Sequence, residues 1–373
     1  MPDDRDDLVM ALTYYTPYVS GLTNVARDVA EGLAARGRRV TVVTTRHDPS
    51  LPEREVVNGV RVLRAPVLAK LGKGTVSPQF TKLVMDASAR ARVLNAHLPM
   101  LEAGPVTRLA KCPVVLTYHC DVSLPPGVVN TVQGKVIDAS SRTAMRHAAA
   151  VVATSEDYAR HSRLWPWIAP RMSTIPPPCA PVEGGAPTYR DGSGFHVGFL
   201  GRIVEEKGVE FLVDGFRAID DPDARLLIGG DFAAVAGGSV VERVRSRIAG
   251  DPRIKLLGFI PDEKLADFYA SLDVFALPSV NAFEAFGIVQ VVAMLAGVPV
   301  LASDLPGVRI PVTETGFGKI VKPRDVAGIT AALTGLRDDR PDSAEGAAKA
   351  RELYGVDAVI DAYDALFEKV AAQ

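Results

Sequence analysis

The chain is poor in cysteine. Its 373 residues include three, Cys112, Cys120 and Cys179, odd in number and far apart. That excludes a disulfide framework and zinc-ligand spacing, and it fits a reducing compartment. An excess of charge of one sign is also missing. The 42 Lys and Arg against 44 Asp and Glu leave a net charge of −2, so no global field points to nucleic acid. No apolar run reaches the ~18–20 residues that a membrane-crossing helix requires. The opening Met-Pro-Asp-Asp-Arg-Asp-Asp is acidic and runs straight into an apolar stretch, unlike a secretory signal peptide. A cytoplasmic protein is expected.

What remains is ordinary for a folded α/β protein: 47% apolar and 23% charged residues, on a chain long enough for two domains. Leu8 to Thr13 reads as a strand. Leu22, Val25, Ala26, Val29, Ala30 and Leu33 fall on one helical face, Gly37 ends that helix, and Val40 to Thr44 is the next strand. This is a βαβ opening of Rossmann-like type. Further strands are expected at Val60–Leu63, Val114–Tyr118 and Ala150–Thr154. The segment from Ile175 to Gly194 is dense in Pro and Gly and reads as the interdomain connection. Alternation then resumes, with strands at His196–Leu200, Ala224–Ile228 and Ile254–Leu257 and helices from Val209, near Val240 and after Pro261. The expected division is 1–180 for a first Rossmann-like domain, 194–356 for a second and 357–373 for a terminal helix. No short internal repeat is evident.

The most informative stretch runs from Leu277 through Glu284, Phe286, Gly287, Gln290 and Val292 to Gly297 and Ser303. It reads as strand (Asp273 to Leu277), loop, helix (Phe286 to Ala296), a stop at Gly297, and a buried strand (Val298 to Ala302). Such a unit sets a carboxylate, Glu284, and free backbone N–H groups at the C-terminal edge of a parallel sheet, where open α/β sheets bind ligands. Upstream, Gly201-Arg202-Ile-Val-Glu-Glu-Lys207-Gly208 follows the first strand of the second domain. Two cations beside a helix N-terminus suit an anionic leaving group, or else pair with Glu205 and Glu206.

These segments resemble the signature of glycosyltransferase family 4, the retaining GT-B sugar transferases: Glu-x7-Glu followed by Ala-Met-Ala-x-Gly-x-Pro-Val, and Gly-Arg-x4-Lys-Gly before it. The resemblance extends to Ser20-Gly21-Leu22, where the family has Gly-Gly, to Tyr118-His119-Cys-Asp121, and to the loop Ser303 to Val308. It implies an α/β GT-B fold, two Rossmann-like domains facing a cleft with the C-terminal helix crossing back. It implies transfer, with retention, of a hexose-type sugar from a nucleotide-diphosphate sugar, UDP ahead of GDP, to an acceptor hydroxyl. Under it, His119 and Glu284 orient the sugar and Arg202 and Lys207 stabilise the leaving diphosphate. Gly21, Gly201, Phe286 and Gly287 then contact the donor. No metal or other cofactor is expected, because the cations take that role.

The second Glu of the signature is replaced by Val292. That Glu grips the nucleotide ribose in the family, and valine accepts no hydrogen bond. Three explanations stand side by side. Gln290 or a neighbour holds the ribose, or the donor is held elsewhere, or the chain is an impaired or non-catalytic homologue. A sugar-nucleotide epimerase on the same fold is a further alternative. Tyr14, Tyr15, His97, Glu102 and Asp121 are candidate acceptor contacts. Lys70, Lys73, Lys82, Arg90 and Arg92, opposed only by Asp86, form a basic stretch that either meets the acceptor or the inner membrane surface as a peripheral contact, or is a solvated helix face.

Overall fold

A computed structural model describes residues 5–71, 74–122, 127–230 and 240–373, with backbone only for Lys70 and Leu71. The chain divides into two compact units, one of Met1–Pro178 with Val356–Gln373, the other of Cys179–Gly355.

The first unit is built on a sheet of eight strands. In chain order the unit contains β1 (Asp6–Ala11), β2 (Val40–Arg46), β3 (Arg54–Val57), β4 (Val60–Pro66), the small hairpin β5 (Ala69–Leu71) and β6 (Gly74–Val76), β7 (Ala91–Leu98), β8 (Val114–Tyr118), β9 (Ala150–Ala153) and β10 (Met172–Thr174). The sheet order is β10-β9-β8-β7-β1-β2-β4-β3. All its pairings are parallel except β3 with β4. The strands Val40–Arg46 and Val114–Tyr118 are buried almost throughout, as helices on both faces of a parallel sheet require. The helix Gly21–Ala35 starts where Ser20 Oγ accepts from Thr23 N at 3.2 Å, and it buries Val25, Ala26, Val29, Ala30 and Leu33.

The terminal helix Val356–Ala371 belongs to this unit. Val359, Ile360, Tyr363, Phe367 and Val370 form its buried stripe, each side chain contributing about 1.5–3 kcal/mol on burial. Ile360 lies so close to Gly32 that a Cβ there would come within 2.9 Å of it. Ion pairs flank the stripe: Arg36 with Asp361 at 2.7 Å, Arg38 with Asp364 at 2.9 Å and Arg92 with Glu368 at 2.8 Å. The five expected cations of the basic stretch therefore do not share one helix face. Arg92 is on β7 and paired, Lys82 is exposed on the helix Pro78–Ser88, Arg90 lies in the turn after it, and Lys73 is outside the described residues.

The second unit has six parallel strands, β11 (His196–Leu200), β12 (Arg225–Gly229), β13 (Ile254–Gly258), β14 (Val274–Leu277), β15 (Val300–Ser303) and β16 (Gly318–Val321), in the order β13-β12-β11-β14-β15-β16. This is the Rossmann order, whose direction of winding reverses between β11 and β14. The Pro- and Gly-rich segment expected as the interdomain connection spans the division at Pro178 and Cys179, and its later part packs on this unit. Ala186 N donates to Asp267 Oδ1 at 2.9 Å, Tyr189 N to Ser271 Oγ at 3.1 Å, and Arg190 pairs with Asp273 at 2.9 Å. Backbone bonded to side chains needs no regular secondary structure, which is how so Pro- and Gly-rich a segment packs without helix or strand.

Candidate functional site

In the second unit the loops after β11 and β14 meet at the reversal point. Gly208 ends the Arg202–Lys207 segment with φ +62°, and a Cβ there would strike the carbonyl oxygen of Pro278. Only glycine allows this approach, and it brings the loop carrying Lys207 against the one that leads to Glu284. Lys207 Nζ and Glu284 form an ion pair, with side chains 16% and 15% exposed. Arg202 stays outside it: its side chain is 54% exposed and makes one long contact, 3.4 Å, to Glu206. One of the two expected anion clamps is thus paired with the acid expected to hold the sugar, and the other remains largely solvated.

Glu284 precedes the helix Ile288–Leu295, whose N-cap is Gly287 at φ +82°. Among the described residues the N–H groups of Phe286 and Gly287 have no hydrogen-bond partner. Phe286 itself is buried and holds the helix entry by an edge-on contact with Tyr354, centroids 5.6 Å apart. Unpaired N–H groups beside a carboxylate offer donors and an acceptor together, which suits a hydroxylated ligand carrying phosphate. Gly201 follows β11 at φ +154°, and its N–H is taken by Gly229 O at 3.1 Å.

Gln290, one of the groups expected as a ribose contact, lies inside the unit. It is fully buried, and its Nε2 donates to Phe286 O at 2.6 Å and Val308 O at 2.9 Å. The amide spends its donors on backbone carbonyls that the helix start and the loop after β15 would otherwise leave unpaired. Val292 is half-buried on the open side of the helix, packed at the edge of the apolar cluster around Phe286 and Met294. The loop after β15 is tied by Asp304 N to Val321 O at 2.7 Å and by the pair of Asp304 with Arg309 at 2.9 Å.

In the first unit the expected residues gather at the C-terminal edge of β1, β7 and β8. Gly21 opens its helix with N–H groups at Gly21 and Leu22 that have no partner among the described residues. A Cβ built on Gly21 meets nothing within 4 Å among the described residues, so none of them demands glycine there. His119 follows β8, and its Nε2 lies 2.9 Å from Nδ1 of His97, near the end of β7. Both rings are buried, at 1% exposure for His97 and 8% for His119. Burial pushes His119 down to about 4, and burial, then the neighbouring His119, pushes His97 well below the usual histidine range. Both are therefore neutral near pH 7.

The acceptor candidates separate. Tyr14 stacks on Tyr18 with centroids 4.5 Å apart, and His47 meets both rings edge-on. Tyr15 is fully buried, so in this structure its side chain touches core, not solvent. Asp121 is bound internally: its carboxylate accepts from Tyr118 Oη at 2.6 Å and Ser162 Oγ at 3.0 Å, and Tyr158 Oη accepts from its N–H at 3.0 Å. Glu102 is the N-cap of the short helix Ala103–Leu109 without capping it, and burial raises its pKa. Tyr18 and His47 were missed by sequence reasoning. Tyr18 lies in the same loop as Tyr14, but His47 joins only because β1 and β2 are neighbours. Among the described residues, no group of three or more His, Cys, Asp or Glu is placed to hold a metal ion.

Two family descriptions match the chain, "Glycosyl transferase 4-like domain" over residues 20–178 and "Glycosyl transferases group 1" over residues 194–339. Among curated proteins, the 2-deoxystreptamine glucosyltransferase of Streptomyces kanamyceticus is 29% identical, covering 83% of this chain and 88% of its own. A D-inositol 3-phosphate glycosyltransferase of Xylanimonas cellulosilytica is 28% identical over 97% of this chain and 98% of its own. Among solved structures, sucrose-phosphate synthase from Thermosynechococcus elongatus superposes with a TM-score of 0.76 at 21% identity, covering 99% of this chain and 100% of its own. Anabaena HepE in complex with UDP gives 0.71 at 18% identity, covering 97% and 100%. The fold is that of the GT-B glycosyltransferases.

Proposed function

The chain belongs to glycosyltransferase family 4, and from that premise we propose that it moves a hexose-type sugar from a nucleotide-diphosphate sugar, UDP-linked ahead of GDP-linked, to an acceptor hydroxyl with retention of configuration. The observation that carries this reading is the Lys207–Glu284 pair at the winding reversal of the second sheet, beside the unpaired N–H groups of Phe286 and Gly287.

Each residue has a part in the transfer. The bond from the anomeric carbon to the diphosphate oxygen breaks, and negative charge grows on the leaving group. Arg202, free to swing, and Lys207, released from Glu284 as the sugar arrives, neutralise that charge. The N–H groups at Gly21 and Leu22 add donors. Glu284 and neutral His119 hold hydroxyls of the sugar while its ring takes on positive character. A neutral imidazole adds no repulsion there. The acceptor oxygen attacks the same face from which the diphosphate departs, and its proton passes to the leaving phosphate oxygen. The two cations supply the charge that a metal would otherwise bring, so the transfer proposed needs no metal ion. With Val292 in the ribose position and Gln290 occupied, the ribose diol is held more weakly than by a carboxylate.

The relatives named for 2-deoxystreptamine and for D-inositol 3-phosphate suggest a polyhydroxylated carbocycle as the first acceptor class to try. The Tyr14–Tyr18 stack offers a flat face for such a ring. The purified protein, supplied with UDP-glucose or GDP-mannose and a panel of inositols and aminocyclitols, tests the reading. Its product should carry the α linkage of the donor, read from the one-bond carbon–proton coupling at the anomeric centre. A β-linked product would contradict retention. Conversion of the sugar nucleotide without an acceptor would favour an epimerase.

A further inference from the structure

The two buried histidines at the ends of β7 and β8 carry an inference about which proton His119 shows to its ligand. It rests on the reading of His119 as a sugar contact. β7 and β8 run parallel with His97 opposite Thr117 and Leu98 opposite Tyr118, and His119 N donates to Leu98 O at 3.2 Å. That register fixes the two rings side by side, 23° from parallel, with Nδ1 of His97 and Nε2 of His119 2.9 Å apart. Two neutral imidazoles at that distance share one proton, and the choice of donor decides both tautomers.

The remaining nitrogen of His97, Nε2, is buried and has no partner among the described residues. Were His119 to donate through Nε2–H, His97 would have to accept at Nδ1 and carry its own proton on Nε2, as a buried N–H with no acceptor among the described residues. Were His97 to donate through Nδ1–H, its Nε2 would carry only a lone pair. Buried donors without acceptors are rarer than under-used acceptors, so the second arrangement is preferred. His119 is then protonated on Nδ1. Among the described residues that atom has no hydrogen-bond partner, and it is not one of the buried unpaired nitrogens. We propose that His97 is a positioning residue that holds His119 in its Nδ1–H tautomer, so that His119 presents a neutral N–H donor to a hydroxyl oxygen of the transferred sugar.

The test is nitrogen NMR of the full-length protein with ¹⁵N-labelled histidine, His119 being assigned with a His119→Gln variant. An isolated neutral histidine favours the Nε2–H form, so the expected native signature is the reverse: proton on Nδ1, lone pair on Nε2. In His97→Phe, His119 should move toward the Nε2–H form and donor kcat/KM should fall about tenfold, the worth of one hydrogen bond. In His97→Asn, whose amide N–H can occupy the place of Nδ1–H, tautomer and rate should return to within a few-fold of native. A native His119 protonated on Nε2 overturns the inference, and so does a tautomer indifferent to His97→Phe. These readouts need no activity. An unchanged kcat/KM in His119→Gln would instead count against His119 as a sugar contact, the reading under which its donor matters.

Discussion

Lys207 and Glu284 are 77 residues apart in the chain and form one ion pair, because β11 and β14 are neighbours in the sheet and Gly208 lets their loops touch. In the proposed transfer each is a group needed free: a cation for the leaving diphosphate and a carboxylate for the sugar. On that proposal the pair holds both partners in place until a donor carrying phosphate and hydroxyls replaces the contact. Lys207→Met should lower donor kcat/KM roughly 10- to 100-fold, the loss of a charge-assisted hydrogen bond. Initial rates over a donor concentration series check this, and an unchanged kcat/KM would remove Lys207 from the leaving-group role.

Val292→Glu restores a carboxylate on the open side of the helix Ile288–Leu295. Calorimetry should show nucleotide affinity rising about tenfold or more, since a charge-assisted bond to a ribose diol is worth about 1.5–3 kcal/mol. No gain would mean that the ribose in this chain lies away from residue 292.

Gly21→Ala separates stability from function. The built Cβ meets nothing and the residue sits in a helix first turn, so the melting temperature should hold or rise slightly. If the diphosphate packs against this backbone, the same methyl group should raise donor KM severalfold. A variant with native KM would place the diphosphate elsewhere.

Acid should destabilise the protein through its histidine pair. The unfolded state binds protons near pH 6.5, whereas His119 in the fold resists them down to about 4 and His97 further still. The stability these two neutral rings permit is fully present above pH 6.5 and is lost as pH falls from there through about 4. Urea unfolding between pH 7 and 4.5 should show this slope reduced in His119→Gln. An identical slope would mean that other groups govern the acid limb.

Much of this was legible beforehand, and the rest has physical reasons for being hidden. The opening βαβ unit, the strand ends at His119, Gly201 and Leu277, and the entry at Glu284 follow from apolar periodicity broken by turn residues. Strands β3 and β16 did not stand out, because four residues with one or both faces exposed carry little hydrophobic signal. Pairings across strands were invisible. His97 and His119 were singled out for different jobs, yet they share a hydrogen bond that depends on the sheet order, which spacing does not encode. Gln290 looked like a polar group free to bind ribose, but it is buried because two backbone carbonyls need its amide. Tyr14 and Tyr15 were equal in sequence, yet one joins the aromatic rim and the other is buried in the core.

The central claim is that the second unit holds a nucleotide-diphosphate donor despite Val292. Calorimetric titration of the purified protein with UDP, GDP and ADP tests it most directly. The account predicts saturable binding with UDP preferred, weakened about tenfold or more in Arg202→Ala as one charge-assisted phosphate contact is lost. Absence of binding to all three nucleotides would contradict it.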